Sequence, residues 1–177
     1  ATATIDTFTA EGVRLDDGTE LPADVVVTAT GLEMLFLGGM TVDVDGDPLV
    51  PSEHLAYKGM MLEGVPNLAM AVGYTNASWT LKAELTCEYV CRLLNHLRRT
   101  GTTACTPVAQ DGATGAAPLM PLSSGYVQRA AGLLPRQGSA FPWQVYQSYV
   151  KDYRAMRLSK VDDGTMQFTR RPVAVDA

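Results

Sequence analysis

The sequence predicts an α/β fold in which buried-type strands of a parallel layer adjoin a long helix, accompanied by β-hairpins and followed by a helical C-terminal tail. Three observations carry this expectation. Two apolar runs, Val25-Val26-Val27-Thr28-Ala29-Thr30-Gly31 and Leu68-Ala69-Met70-Ala71-Val72-Gly73, are continuous rather than alternating and close on small residues, the pattern of strands covered on both faces. The second run leads through a short polar turn into residues 78–98, where Leu81, Leu85, Val90, Leu93, Leu94 and Leu97 recur at a helical period. Asp-Gly pairs between alternating residues mark the hairpins.

In chain order, residues 5–8 and 13–15 read as short strands around Asp16-Asp17-Gly18. The first buried-type run follows Pro22 and spans 24–31. Asp45-Gly46-Asp47 centres a second hairpin within 42–50. Gly64-Val65-Pro66-Asn67 then introduces the second buried-type run, and the helix over 78–98 follows. Glu84 in its early turns, Arg98 and Arg99 at its end and Gly101 just beyond agree with the helix dipole and a glycine C-cap. Residues 100–121, rich in Thr, Ala, Gly and Pro, read as a long surface connection. The tail offers helices over 123–134 and 143–158, with Pro142 near a first-turn position and Asp162-Asp163-Gly164 as a turn.

Composition narrows the function. A chain of 177 residues with 46% apolar and 19% charged residues is long and apolar enough to bury a core. A net charge of −5 argues against nucleic acid as a partner, because that affinity rests on clustered Lys and Arg. No run reaches the length of a membrane span, and the first residues carry no signal-peptide pattern, so a cytoplasmic home is expected. Cys87, Cys91 and Cys105 form no even disulfide framework and fit a reducing compartment. Cys87 and Cys91 read as small buried apolar residues of the helix rather than a metal pair or a redox dithiol. His54 and His96 have no hydrolytic partners at a telling spacing, and Arg98-Arg99 reads as a solvated helix end. The sequon Asn76-Ala77-Ser78 would not meet a glycosyltransferase in the cytoplasm.

Chemistry concentrates in two places. The small strand end Ala29-Thr30-Gly31 lets main chain approach a flat ligand closely. The turn Gly73-Tyr74-Thr75-Asn76-Ala77-Ser78-Trp79 lies where a long helix begins, so that unpaired amides at the helix start suit developing negative charge. On spacing alone the first reads more simply as a buried strand stopped by a turn glycine, and the second equally as an ordinary strand-to-helix turn.

In this order the two segments resemble those of the class B flavoprotein monooxygenases, the flavin-containing and Baeyer–Villiger enzymes. Residues 24–31 look like the family's return from the NADPH domain to the FAD domain. Residues 64–79 look like a later FAD-domain strand and the turn whose helix points at the isoalloxazine. Ser124-Gly125-Tyr126-Val127-Gln128-Arg129, Leu134-Pro135-Arg136-Gln137-Gly138 and Pro142-Trp143 resemble the tail of one bacterial branch. The resemblance implies a partial FAD-binding Rossmann-like domain, with FAD and NADPH as cofactors and O2 and a small organic molecule as substrates. It places Thr30 and Gly31 near the interdomain cofactor region. Gly73, Asn76, Ala77 and Ser78 would line the flavin, and Tyr74 and Trp79 would be wall residues, with core packing an equal alternative for each aromatic.

The implied divisions are a hairpin (1–22) from the end of the NADPH domain, the C-terminal part of the FAD domain (23–99), a linker (100–122) and a helical tail (123–177). No Gly-x-Gly-x-x-Gly fingerprint occurs, nor the family's His-containing signature. The chain therefore reads as a C-terminal fragment, inactive alone and complemented by a missing N-terminal part, with exposed strand edges that favour self-association. The alternative is a non-enzymatic interaction module that keeps the sheet without flavin.

Overall fold

A computed structural model describes residues 2–109 and 117–170. The chain forms a mixed α/β structure in two compact units, residues 1–32 and 33–177.

In the first unit, β1 (Ile5–Thr9), β2 (Gly12–Leu15) and β3 (Glu20–Pro22) form an antiparallel meander. The β1–β2 register pairs Phe8 with Val13 and Thr9 with Gly12, so the connection is Ala10-Glu11. The Asp16-Asp17-Gly18 turn instead joins β2 to β3, a third strand that the sequence pattern did not announce. Asp17 holds this turn by accepting the Thr19 amide at 2.8 Å, which lowers its carboxyl below the usual range. Gly12 is a position where only glycine fits: at φ +154°, an added Cβ would lie 2.1 Å from the Leu21 carbonyl oxygen.

Residues 24–31 carry no strand, contrary to the expectation of a buried parallel one. Val25 and Val27 are 78% and 85% exposed. The physical reason is that a parallel strand draws its hydrogen bonds and its cover from neighbours, and among the described residues no strand flanks this run.

The second unit is built around α1 (Trp79–Thr100), slightly longer than expected and closed by Gly101 at φ +65°, whose amide reaches the Leu97 carbonyl. The left-handed cap frees the last turn to end where Arg98 and Arg99 meet the carbonyl pole. Small antiparallel pairs surround the helix. They are β4 (Asp43–Val44) with β5 (Asp47–Pro48), β6 (Ala56–Tyr57) with β7 (Met61–Leu62), β8 (Ala104–Pro107) with β11 (Met166–Thr169), and β9 (Ala117–Pro118) with β10 (Arg136–Gln137). The first pair is the expected Asp45-Gly46 hairpin, with both turn residues at positive φ, 56° and 95°.

Residues 68–73 also lack strand structure. They are held by one antiparallel bridge, Met61 to Ala69, and by the Met70 amide on the Met60 carbonyl at 2.7 Å. A Rossmann-like parallel layer is thus not formed by the described residues. Part of the expected surface connection is a buried strand instead: Ala104, Cys105 and Pro107 of β8 pair with the tail strand β11. Residues 110–116 of that connection lie outside the described residues.

The tail helices are shorter than their sequence windows. α2 spans Gly125–Arg129 and α3 spans Tyr149–Tyr153, the latter continuing as a π-turn over Arg154–Leu158. Residues 143–148 do not join α3, because Trp143 returns its carbonyl to the Gly138 amide and the Val145 amide is taken by the Gln137 side chain.

The main core joins Tyr57, Met60 and Met61 to Leu85, Tyr89 and Leu93 of α1 and to Trp143, Met156 and Met166 of the tail. A smaller cluster gathers Leu62, Val65 and Met70 against Phe36, Leu37, Val44 and Leu49. Cys87 and Cys91 are exposed, which corrects the expectation that both are buried. The inward stripe of α1 is Lys82, Leu85, Thr86, Tyr89 and Leu93, so the two cysteines fall on the opposite face.

Candidate functional site

The bend before α1 exposes polar backbone to solvent. Thr75, Asn76, Ala77, Ser78 and Trp79 are all exposed, whereas Gly73 and Tyr74 are buried. Ser78 stands at the N-cap without capping the helix; its hydroxyl pairs with that of Thr80 at 2.8 Å. No acidic side chain occupies the first turn. Among the described residues, the amides of Asn76, Ala77 and Ser78 have no acceptor, and the first helical amides lack intrahelical partners by geometry. The positive pole of a helix of 22 residues therefore opens to solvent with its donors unused. Such an arrangement stabilises an electron-rich or anionic group brought against it.

The inner side of the bend is occupied by the chain's own side chains. Trp79 lies on Gly73 so closely that a Cβ there would fall 2.2 Å from the indole Cγ. Gly73, which the sequence resemblance sets along the flavin, thus gives clearance to Trp79. Gln147 of the tail accepts both the Thr75 amide, at 3.0 Å, and the Thr75 hydroxyl, at 3.1 Å, through the same Oε1 atom. Asn76 donates its side-chain amide to the Gln147 carbonyl at 3.1 Å. Tyr74 turns into the interior and donates its hydroxyl to Asp152 at 2.8 Å.

Asp152 is the centre of a buried polar group that the sequence did not disclose. Its other oxygen takes the Lys82 ammonium at 3.0 Å, with both side chains almost fully enclosed. Lys82 also reaches the Met156 sulfur at 3.3 Å. Burial pushes the Lys82 ammonium below its ordinary value, and Asp152 offsets part of that; burial likewise raises the Tyr74 hydroxyl. The signal available in the sequence was the position of Lys82 on the same helical stripe as Leu85, Tyr89 and Leu93.

A second buried group lies further along α1. Lys58 donates to the Tyr89 hydroxyl at 3.0 Å, the Tyr89 and Tyr57 hydroxyls are 3.0 Å apart, and Tyr57 donates to Asp163 at 2.6 Å. Lys58 closes the ring on Asp163 at 3.0 Å. Burial drives the Tyr57 and Tyr89 hydroxyls upward and the Lys58 ammonium downward. For Asp163, burial alone would raise the carboxyl. The bond from Tyr57, the charge and bond of Lys58 and the Thr165 amide outweigh it, and the group lies below the usual aspartate range.

The remaining sequence-identified residues, Thr30 and Gly31, belong to the first unit and are exposed, Gly31 at φ +87°. His54 sets its Nδ1 2.7 Å from the Glu63 carbonyl, and His96 packs on Phe168 with ring centres 4.3 Å apart, so both histidines serve local packing. Among the described residues no helix is long and apolar enough to cross a membrane.

No family model matches the chain. Among curated proteins it is similar to FAD-containing monooxygenase EthA of Mycobacterium tuberculosis, at 47% identity over 174 residues, covering 98% of this chain and 36% of that protein. It is also similar to the putative FAD-containing monooxygenase MymA of the same species, at 47% over 165 residues, covering 93% and 33%. A third relative is the probable FAD-binding monooxygenase AlmA of Acinetobacter baylyi, at 41% over 178 residues, covering 97% and 35%. The chain spans about a third of the length of these relatives. At 41–47% identity over nearly its whole length, the chain matches the C-terminal part of proteins named FAD-containing or FAD-binding monooxygenases, which are class B flavoprotein monooxygenases.

Proposed function

We propose that the chain is the C-terminal part of an FAD-dependent, NADPH-using monooxygenase that transfers one atom of O2 to a ketone or soft heteroatom of a small organic molecule, and that it is inactive without the N-terminal part of the same protein. The observation that supports this most is the uncapped start of α1, whose adjoining amides at Asn76, Ala77 and Ser78 have no acceptor among the described residues.

That donor set fits a flavin. Reduction places negative charge over the pyrimidine edge, and an open helix start with no acid in its first turn is complementary to it. When bound, FAD would supply the redox chemistry and the activation of oxygen. The part of this chain is electrostatic: Asn76, Ala77 and Ser78 would hold the electron-rich edge, while Gly73 and Trp79 shape the bend. Tyr74 would act from behind it through Asp152. Thr30 and Gly31 would border the cofactor region between domains. The exposed cysteines fit a reducing, cytoplasmic setting.

One observation favours a second reading, an interaction module without flavin: Trp79 already occupies the face of Gly73. Expression of the complete protein that carries this chain separates the two. The monooxygenase reading expects a yellow protein that releases FAD on denaturation and couples NADPH oxidation to oxygen uptake. A colourless protein that takes up no added FAD refutes it.

A further inference from the structure

We propose that Gln147 and Asp152 of the tail are positioning residues for the bend over 73–78, so that the tail sets the order of the amides offered to the flavin. This rests on the flavin reading above.

Four hydrogen bonds join tail residues 147–152 to three consecutive residues of the bend: Tyr74 to Asp152, the Thr75 amide and hydroxyl to the Gln147 side chain, and Asn76 to the Gln147 carbonyl. The bend has little else to fix it. It carries no strand ladder, its N-cap side chain makes no cap bond, and residues 75–79 are exposed. Anchorage on the tail side is firm, because Asp152 is itself held by Lys82 of α1 at 3.0 Å, in the second turn of the helix that the bend introduces. Lys82, Asp152 and Tyr74 thus tie the start of the helix to the bend through the tail. Gln147 then fixes the residue immediately before the open amides of Asn76, Ala77 and Ser78. Gln147 needs no contact with flavin for this role. It removes the conformational freedom that the bend would otherwise lose on binding.

The test uses the complete flavoprotein with Gln147→Leu, Gln147→Glu and Tyr74→Phe, and reads the FAD dissociation constant, the flavin midpoint potential and the melting temperature. Gln147→Leu removes the acceptor at a half-buried position and is expected to weaken FAD roughly tenfold and to lower the potential. Gln147→Glu keeps an acceptor for Thr75 and recovers most of the affinity, yet lowers the potential further, because its charge opposes reduction. Tyr74→Phe, which leaves the Lys82–Asp152 pair intact, falls between wild type and Gln147→Leu. Wild-type affinity and potential in both Gln147→Leu and Tyr74→Phe overturn the inference. Failure of the unmodified protein to bind FAD overturns the flavin reading itself and is distinguishable, since it precedes any substitution.

Discussion

Residues 24–31 and 68–79 begin from the same kind of sequence, a continuous apolar run ending in small residues, and come to different ends. The first is bare: Val25, Val26 and Val27 are exposed and, among the described residues, no strand pairs with them. The second is anchored at both ends although it too lacks a ladder. The Asn67 amide bonds the Cys105 carbonyl and its side chain accepts the Cys105 amide, both at 3.0 Å, and Tyr74 closes on Asp152. Hydrophobicity is shared by the two segments, so it is partners that decide which one acquires a fixed conformation.

The contrast is broken most severely at its buried anchor. Lys82→Met leaves the Asp152 carboxylate enclosed without its cation, and urea unfolding should show a loss of about 3–5 kcal/mol. Next comes Asp163, which joins the tail to Tyr57 of β6 and to Lys58. Asp163→Asn should cost about 2–3 kcal/mol at neutral pH, since hydrogen bonds to a charged acceptor are the stronger kind. Because its folded-state value lies below the ordinary aspartate value of about 4, the contribution is present above that pH and lost as pH falls through the folded value. Wild type should therefore lose melting temperature on acidification below about pH 4, and Asp163→Asn should show a shallower acid limb.

A smaller effect is expected at the bend. Gly73→Ala drives a methyl group into the Trp79 indole, which must move outward, and thermal unfolding should register about 1–2 kcal/mol. The smallest sharpens the other side of the comparison. Val26→Asp in the 177-residue chain should change stability by no more than about 0.5 kcal/mol, the usual range for an exposed site. By light scattering it should also reduce self-association, which exposed apolar runs favour. If the complete protein supplies the Rossmann-like sheet that the sequence resemblance implies, the same substitution should there cost several times more.

Legibility in the sequence followed the range of the interactions involved. The Asp45-Gly46 hairpin, the long helix and its Gly101 cap are set within a few residues, and each has a side chain or glycine whose local geometry dictates the outcome. The second tail helix begins later than its periodicity suggests because Gln137 and Gly138 take bonding groups from residues 143–145, a competition invisible to periodicity. β8 was hidden by composition: its Ala, Cys, Thr and Pro carry little apolar signal and become a strand through pairing with residues 166–169. Of the candidate site, the position of the bend between an apolar run and a helix start could be read directly. Its supports could not, because Asp152 and Gln147 lie more than seventy residues beyond it along the chain.

Both tryptophans of the chain fall at instructive places, Trp79 at 58% exposure over the bend and Trp143 at 6% within the core. Their emission should separate into a red, iodide-quenchable component and a blue, protected one. Disturbance of the helix entrance and melting of the interior then become two independent optical signals from one unlabelled sample.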